Sequence, residues 1–260
     1  MDLGITGRSA FVCASSQGLG LACARALVRE GATVWLNGRK EDKLVAAVAA
    51  LLTEFPHAEV HHVTADLNTP EGRAAILAAV PQIDILVTNN EGPKPGGLEA
   101  WDEAALLGAM EMNMIPAVAL FRAYIPGMRQ RKFGRIVNIT SAMVKSPRYF
   151  MGLSTAARTA LTAISKALAR EVVIDNVTIN NLLPEKIDTP RQDVVTAHFM
   201  KTEGLTREQV RARTVSTIAA KRFGEASEFG DACAFLCAAQ AGYISGQNLQ
   251  VDGGTYEGLM

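Results

Sequence analysis

The chain has 260 residues, 48% of them hydrophobic, and its 26 Lys+Arg balance its 26 Asp+Glu. That length can bury about three quarters of the unfolded surface around one core, and zero net charge gives no general attraction to nucleic acid or to an anionic membrane. The N-terminus MDLGITGRSAFV has no basic region followed by a long apolar stretch, and no run approaches the ~20 apolar residues that span a bilayer. A cytoplasmic protein with neither nucleic-acid nor membrane partners is expected. Cys13, Cys23, Cys233 and Cys237 show no CxxC spacing and no histidines at zinc-site spacing, so no metal is expected. Cys233 and Cys237 share one helix face and read as core.

Taken in chain order, Ser9–Cys13 is an apolar strand, followed by a Ser- and Gly-containing turn. A helix with apolar spacing runs from Leu19 to Val28, and Gly31 suits its left-handed C-cap. Thr33–Leu36 is a second strand, Asn37-Gly38-Arg39 a turn, and Lys43–Leu52 a second helix. Val60–Thr64 is strand-like, and Thr69-Pro70-Glu71 starts a helix with a Thr N-cap, Pro at N1 and an acid in the first turn. Ile83–Val87 is a continuous apolar strand of the kind buried on both faces. A single helix is expected from Glu103 to Gly127, then a strand at Arg135–Ile139, a long helix at Ser154–Glu171 and a strand at Val177–Leu183. Glu228–Ala239 is helical and Asn248–Val251 a last short strand. The alternation means βαβ units: a doubly wound, mostly parallel α/β sheet in one domain, 1–260, of the Rossmann type. The least regular stretch, 188–223, contains the helix-like Thr206–Arg213. It reads equally as a substrate loop beyond the strand ends and as a surface excursion with a helix.

Gly18 and Gly20 lie in Cys13-Ala14-Ser15-Ser16-Gln17-Gly18-Leu19-Gly20, between the first strand and its helix. Glycines there let the backbone approach a pyrophosphate at a helix N-terminus. Further landmarks follow in order: Asp66-Leu67, Asn89-Asn90-Glu91-Gly92, Asn113, RIVNITS from Arg135 to Ser141, Asn180 to Thr189 with Pro184, and Val251-Asp252-Gly253-Gly254. Across nearly its whole length the chain resembles the short-chain dehydrogenase/reductase family, most nearly the 3-oxoacyl-carrier-protein reductase-like members. That family has TGxxxGxG at the first turn, where this chain has Cys13 and Ala14 for the Thr and first Gly. Glu91 stands for the Ala of NNAG, and Glu185 for the Gly after Pro184.

The resemblance implies a nicotinamide dinucleotide held by Ala14, Ser16, Gln17, Gly18, Leu19, Gly20, Arg39, Asp66, Leu67, Asn90, Pro184 and Ile187. An acid at the end of the second strand would accept the ribose hydroxyls of NAD. Gly38 occupies that place, and Arg39 can pair a 2′-phosphate, so NADP(H) is expected over NAD(H). Lys40 and Lys43 are further candidates for that phosphate, and Arg39 reads otherwise as an exposed turn residue.

Family members use serine, tyrosine and lysine with a supporting asparagine. Serine and tyrosine are normally thirteen residues apart, with lysine four beyond. Counting from Ser141 places Ser154 and Arg158 at those positions, and Ser154–Leu161 has the small-residue texture of the usual helix. Asn113, Ser141, Ser154 and Arg158 are therefore the candidate catalytic residues. A serine hydroxyl is far less acidic than a phenol, and arginine stays protonated. Tyr149, Lys145 and Lys186 are other candidate proton sources, as is a water held by Ser141 and Ser154. His57, His61 and His62 read as structural or exposed, and Met143 and Met151 as packing or pocket lining. Two functions follow: an NADP(H)-dependent oxidoreductase acting on a small carbonyl or alcohol, with a 3-oxoacyl compound as the substrate the resemblance implies, or a catalytically degenerate dinucleotide-binding protein. The resemblance also implies a homodimer or homotetramer built on the two long helices.

Overall fold

The computed structural model describes residues 2–259. Seven parallel strands form one sheet in the order β3-β2-β1-β4-β5-β6-β7: β1 Ser9–Val12, β2 Thr33–Gly38, β3 Val60–Thr64, β4 Ile85–Thr88, β5 Gly134–Ile139, β6 Val177–Pro184 and β7 Asn248–Val251. The order reverses between β1 and β4, which opens a crevice beyond the C-terminal strand ends. The helices are α1 Gly18–Arg29, α2 Glu41–Glu54, α3 Pro70–Ala79, α4 Glu103–Asn113, α5 Ile115–Gln130, α6 Gly152–Val172, α7 Pro190–Glu203, α8 Arg207–Ser216 and α9 Ala226–Cys237. This is the doubly wound single Rossmann-type domain that the alternation predicts.

Each face of the sheet carries its own apolar layer. On one side Leu27, Leu36, Val87, Phe229 and the thiols of Cys23, Cys233 and Cys237 pack beneath α1, α2 and α9. On the other, Phe11, Leu86, Ile136 and Ile179 meet Ile76 of α3, Phe121 of α5 and Leu161 of α6. The predicted caps form: Thr69 Oγ1 accepts from Gly72 N at 3.0 Å, and Gly31 adopts φ +81° just past α1.

A row of polar side chains crosses the sheet's interior. Thr88, Asn138, Asn181 and Asn248 are register partners on β4 to β7. Thr88 Oγ1 donates to Asn138 Oδ1 at 2.6 Å, Asn138 Nδ2 to Asn181 Oδ1 at 2.9 Å, and Asn181 Nδ2 to Asn248 Oδ1 at 2.8 Å. Asn138 Nδ2 also donates to Ser165 Oγ on α6 at 2.9 Å. Buried polar groups of this kind are tolerated because every link is made.

Two expectations are corrected. The single helix expected at 103–127 is two helices, broken at Met114. Pro116 has no N–H for the carbonyl of Met112, and its ring crowds that carbonyl. Asn90 Nδ2 takes the freed oxygen at 2.7 Å. The run Glu103–Gln130 is long and apolar enough to cross a bilayer, with mean hydropathy 1.6, yet α5 packs Leu120, Phe121, Tyr124 and Met128 into the core. The irregular stretch at 188–223 holds two helices rather than one, α7 and α8, the second opened by a Thr206–Gln209 capping box. The apolar residues of α7, among them Val194, Val195, Phe199 and Met200, do not gather on one face, so apolar periodicity could not reveal it.

Asn138→Ala is expected to lower stability by about 3 kcal/mol, because Thr88, Ser165 and Asn181 lose a buried partner together. Urea unfolding, with the m-value unchanged, measures this.

Candidate active site

The site is built from the strand ends outward. After β1 the chain turns through Cys13–Gln17 into α1. Ala14 sits in the left-handed region at φ +45°, held by its N–H to Asn37 Oδ1 at 3.3 Å and its carbonyl from Asn89 Nδ2 at 3.2 Å. Ser15 Oγ donates to Val12 O at 2.7 Å and accepts from Asn37 N at 3.0 Å. A Cβ on Gly20 would stand 2.5 Å from Ala14 O, so only glycine fits there. No side chain caps the start of α1, and its first turn holds no acid. Its N–H groups and positive dipole end therefore suit an anion. Ser16, Gln17 and Gly18 lie at the open side of the turn, while Leu19 packs on the core.

Near the end of β2, Asn37 is buried and ties the turn to β3 and the residue after it through Val63 O and Ala65 O. The Arg39 guanidinium, 58% exposed, is paired with Glu91, Nη2 to Oε2 at 2.6 Å. This exposed ion pair crosses from the end of β2 to the segment after β4. Lys43 Nζ donates to Gln17 Oε1 at 3.2 Å. Asp66 Oδ1 accepts from Asn68 N at 2.9 Å, and Leu67 is buried. Asn90 Nδ2 also donates to Asn68 Oδ1 at 2.8 Å, so Asn90 serves as a strut between the β3 and α4 segments.

Around Gly92 three of the four candidate catalytic residues, Asn113, Ser154 and Arg158, converge. A Cβ built there would lie 3.4 Å from Ser154 Oγ, 3.6 Å from Arg158 Nη2 and 4.0 Å from Asn113 Oδ1. Ser154 and Arg158 share a face of α6, with Arg158 Nε donating to Ser154 Oγ at 3.3 Å. Arg158 Nη1 donates to the carbonyls of Ile139 and Thr140 at 2.8 and 3.1 Å, at the end of β5. Among the described residues no carboxylate pairs with Arg158. Burial, helped by the charge of Arg191, pulls its pKa down to about 10, so it stays charged at neutral pH. Asn113 closes α4, its Nδ2 donating to Glu91 O at 2.8 Å while its buried Oδ1 has no partner. Ser141 is half-buried, and its Oγ accepts from Met143 N at 3.2 Å. Asn90, Asn113 and Arg158 line a cavity of about 20 Å³, room for roughly one water. A larger hollow of about 330 Å³ lies between α1, α9 and the start of α7; it touches Gly18 but none of the candidate catalytic residues.

Tyr149 does not join this cluster. Its hydroxyl accepts from Leu98 N at 2.8 Å, its ring leans on Trp101, and it is 64% exposed. Lys145 lies over the Tyr256 ring at 5.5 Å. Pro184 ends β6, and Ile187 is buried and bridges to Gly224. Gly92, Asn89 and Asn37 were not singled out from sequence as positioning residues. The available signal was the pair of asparagines closing an apolar strand, whose side chains must find backbone partners once buried.

Residues 13–256 match the family model described as enoyl-(acyl carrier protein) reductase. The chain belongs to the short-chain dehydrogenase/reductase family. It is 30% identical to the uncharacterized oxidoreductase YvaG of Bacillus subtilis, over 98% of both chains. It is 32% identical to the 3-oxoacyl-[acyl-carrier-protein] reductase FabG of Haemophilus influenzae, over 96% of this chain and 98% of that one. The structure of L-sorbose reductase from Gluconobacter frateurii, complexed with NADPH and L-sorbose, superposes with a TM-score of 0.93 at 31% identity and full coverage of both chains. As a member of this family the chain is an oxidoreductase.

Gly20→Ala is expected to destabilise the fold by about 2 kcal/mol, since the added methyl must displace the Ala14 carbonyl from Asn89. The midpoint of thermal unfolding reports it.

Proposed function

We propose that this oxidoreductase is NADP(H)-dependent and works on the carbonyl or alcohol group of a small molecule. In this reading Ser154 and Arg158 stand where the family has tyrosine and lysine. The observation that carries it is the convergence of Ser154 Oγ, Arg158 Nη2 and Asn113 Oδ1 around Gly92. The residues fit the dinucleotide. The uncapped start of α1, with Ala14, Ser16, Gln17, Gly18, Leu19 and Gly20, would take the pyrophosphate. Asp66 and Leu67 would meet the adenine, Arg39 the 2′-phosphate, and Asn90, Pro184 and Ile187 the nicotinamide half. When bound, the dinucleotide supplies or accepts the hydride. NADPH accompanies relatives as well: the NADPH-dependent reductase BacG of Bacillus subtilis is 27% identical over 97% of this chain.

The chain's own residues have definable tasks. Ser154 Oγ accepts from Arg158 and Ser141 Oγ accepts from Met143 N, which leaves each hydroxyl proton free to point at a substrate oxygen. Both then donate to the carbonyl oxygen as negative charge grows on it, with the Arg158 charge behind Ser154. Neither serine is acidic enough to be the net proton source, and Arg158 keeps its own proton, so the proton comes from bulk solvent, relayed through a water held by the two serines. A catalytically degenerate binding protein is the second reading, favoured because the Tyr149 phenol is engaged at Leu98. A small-molecule substrate, a mobile α7–α8 cover and a cytoplasmic homodimer or homotetramer belong to the same proposal. Apolar Leu106 and Leu107 on α4 and Ile164 on α6, all exposed, support assembly on those helices.

The test is NADPH and NADH binding, followed by cofactor oxidation against a carbonyl panel that includes 3-oxoacyl thioesters. Turnover is expected, and Ser154→Ala should lower kcat/KM about 100-fold. Tight NADPH binding without turnover on any member overturns the catalytic reading in favour of the second.

Glu91→Ala frees Arg39 and removes a nearby negative charge. NADPH binding is expected to tighten about fivefold, the value of roughly 1 kcal/mol, with NADH unchanged. Fluorescence titration of both cofactors decides it.

A further inference from the structure

The end of β6 carries a cation that the proposal above does not use. Lys186 follows Pro184 and Glu185 at the C-terminal edge of the sheet, where ligands of doubly wound folds bind. Its backbone is in the left-handed region at φ +56°, which costs a lysine about 1 kcal/mol. Backbone bonds hold that conformation: Gly224 N donates to Lys186 O at 3.1 Å, and Asp188 N to Gly224 O at 2.8 Å. The side chain is half-buried. No hydrogen bond or ion pair meets its ammonium among the described residues.

The carboxylate of the adjacent residue is already taken. Glu185, its side chain only 8% exposed, is paired with Arg148. Arg148 comes from the β5–α6 segment, between Ser141 and Ser154, so this ion pair joins the two segments that flank the candidate site. Two cations thus stand beside one carboxylate in a partly dry place, and only Arg148 is paired with it. Burial holds the Lys186 ammonium below the ordinary lysine range, the Arg148 charge adds to the effect, and Glu185 offsets part of it. A surface lysine that merely met solvent would show neither the burial nor the surplus charge. A desolvated ammonium without a partner is destabilising unless a ligand brings the counter-charge.

We propose that Lys186 recognises an oxyanion on the substrate, so that the enzyme acts on carbonyl compounds carrying a carboxylate or a phosphate. This inference rests on the oxidoreductase reading above and names its substrate class. A compact ammonium suits either oxyanion, because it offers three rotatable donors rather than a planar fork.

The experiment offers matched pairs to the NADPH-loaded protein: pyruvate with methyl pyruvate, acetoacetate with methyl acetoacetate, and dihydroxyacetone phosphate with dihydroxyacetone. The anionic member of at least one pair is expected to be favoured about tenfold or more in kcat/KM, as a charged hydrogen bond allows. The first two pairs report a carboxylate and the third a phosphate. Lys186→Met should erase the preference, chiefly through KM, and Lys186→Arg should retain it. Equal use of both members of every pair overturns the proposal. So does a Lys186→Met loss that falls equally on charged and neutral members through kcat, which would make Lys186 a proton donor. If no member is reduced, the oxidoreductase mechanism fails, and calorimetric titration of the same pairs tests recognition by itself. Binding of an anion but not its neutral partner, lost in Lys186→Met, sustains the oxyanion site. Equal binding, or none, overturns it.

Discussion

The buried row Thr88–Asn138–Asn181–Asn248 is the constraint on which the site depends. Each side chain is paired across the sheet with its register partner, so a one-residue slip of any strand would leave several amides unpaired in a dry interior. The row therefore fixes how far β4, β5 and β6 extend. It also fixes α6, because Asn138 reaches up to Ser165. Ser165 lies seven residues beyond Arg158 on the same helix face, two turns away. Holding Ser165 to the sheet sets the height at which Arg158 meets the end of β5. The carbonyls that receive Arg158 belong to Ile139, the last residue of β5, and Thr140, the first beyond it.

Carbonyl oxygens rather than carboxylates satisfy the buried cations of this domain. Arg135 is almost wholly buried, and it donates to the carbonyls of Gly134, Asn176, Ala238 and Ala239, with its plane against Phe133. Arg158 uses the same device at the opposite end of β5. Such a cation keeps its full charge for whatever enters beside it, whereas a salt-bridged one does not. The break at Pro116 is a similar economy of geometry. Removing one N–H frees the Met112 carbonyl, and that oxygen anchors Asn90 at the floor of the crevice.

The two acids that stand where the resemblance puts alanine and glycine are not isolated. Glu91 arrives with a partner in Arg39, and Glu185 with a partner in Arg148. Glu91 lies opposite the end of β2 and Glu185 just beyond β6. The first pair is exposed and easily parted, so it can yield its arginine to a ligand. The second holds a carboxylate that is almost fully covered, so it is a fixed part of the wall, and it leaves Lys186 as the charge to be matched.

The architecture was legible because a doubly wound sheet writes itself locally. Continuous apolar strands, Gly31 after α1 and Thr69-Pro70 before α3 each act within a few residues. The glycine turn was legible for the same reason, whereas Asn113 and the order of motifs were legible only through the family resemblance. Three features were not. The α4–α5 break looked like one helix because Pro116 lies in an unbroken apolar pattern, and α7 was hidden by its lack of any apolar face. The positions of Tyr149 and Lys186 depend on which loops meet, and loop contacts are long-range. Sequence alone determined the strands, the helices flanking them and the residue types at the crevice. Only the tertiary structure decided that Arg158 rests on two carbonyls, that Tyr149 is drawn off to Leu98, and that Arg148 takes the carboxylate beside Lys186. Those outcomes are pairings between distant segments, and the donors and acceptors that each side chain finds are set by packing, not by its neighbours in the chain.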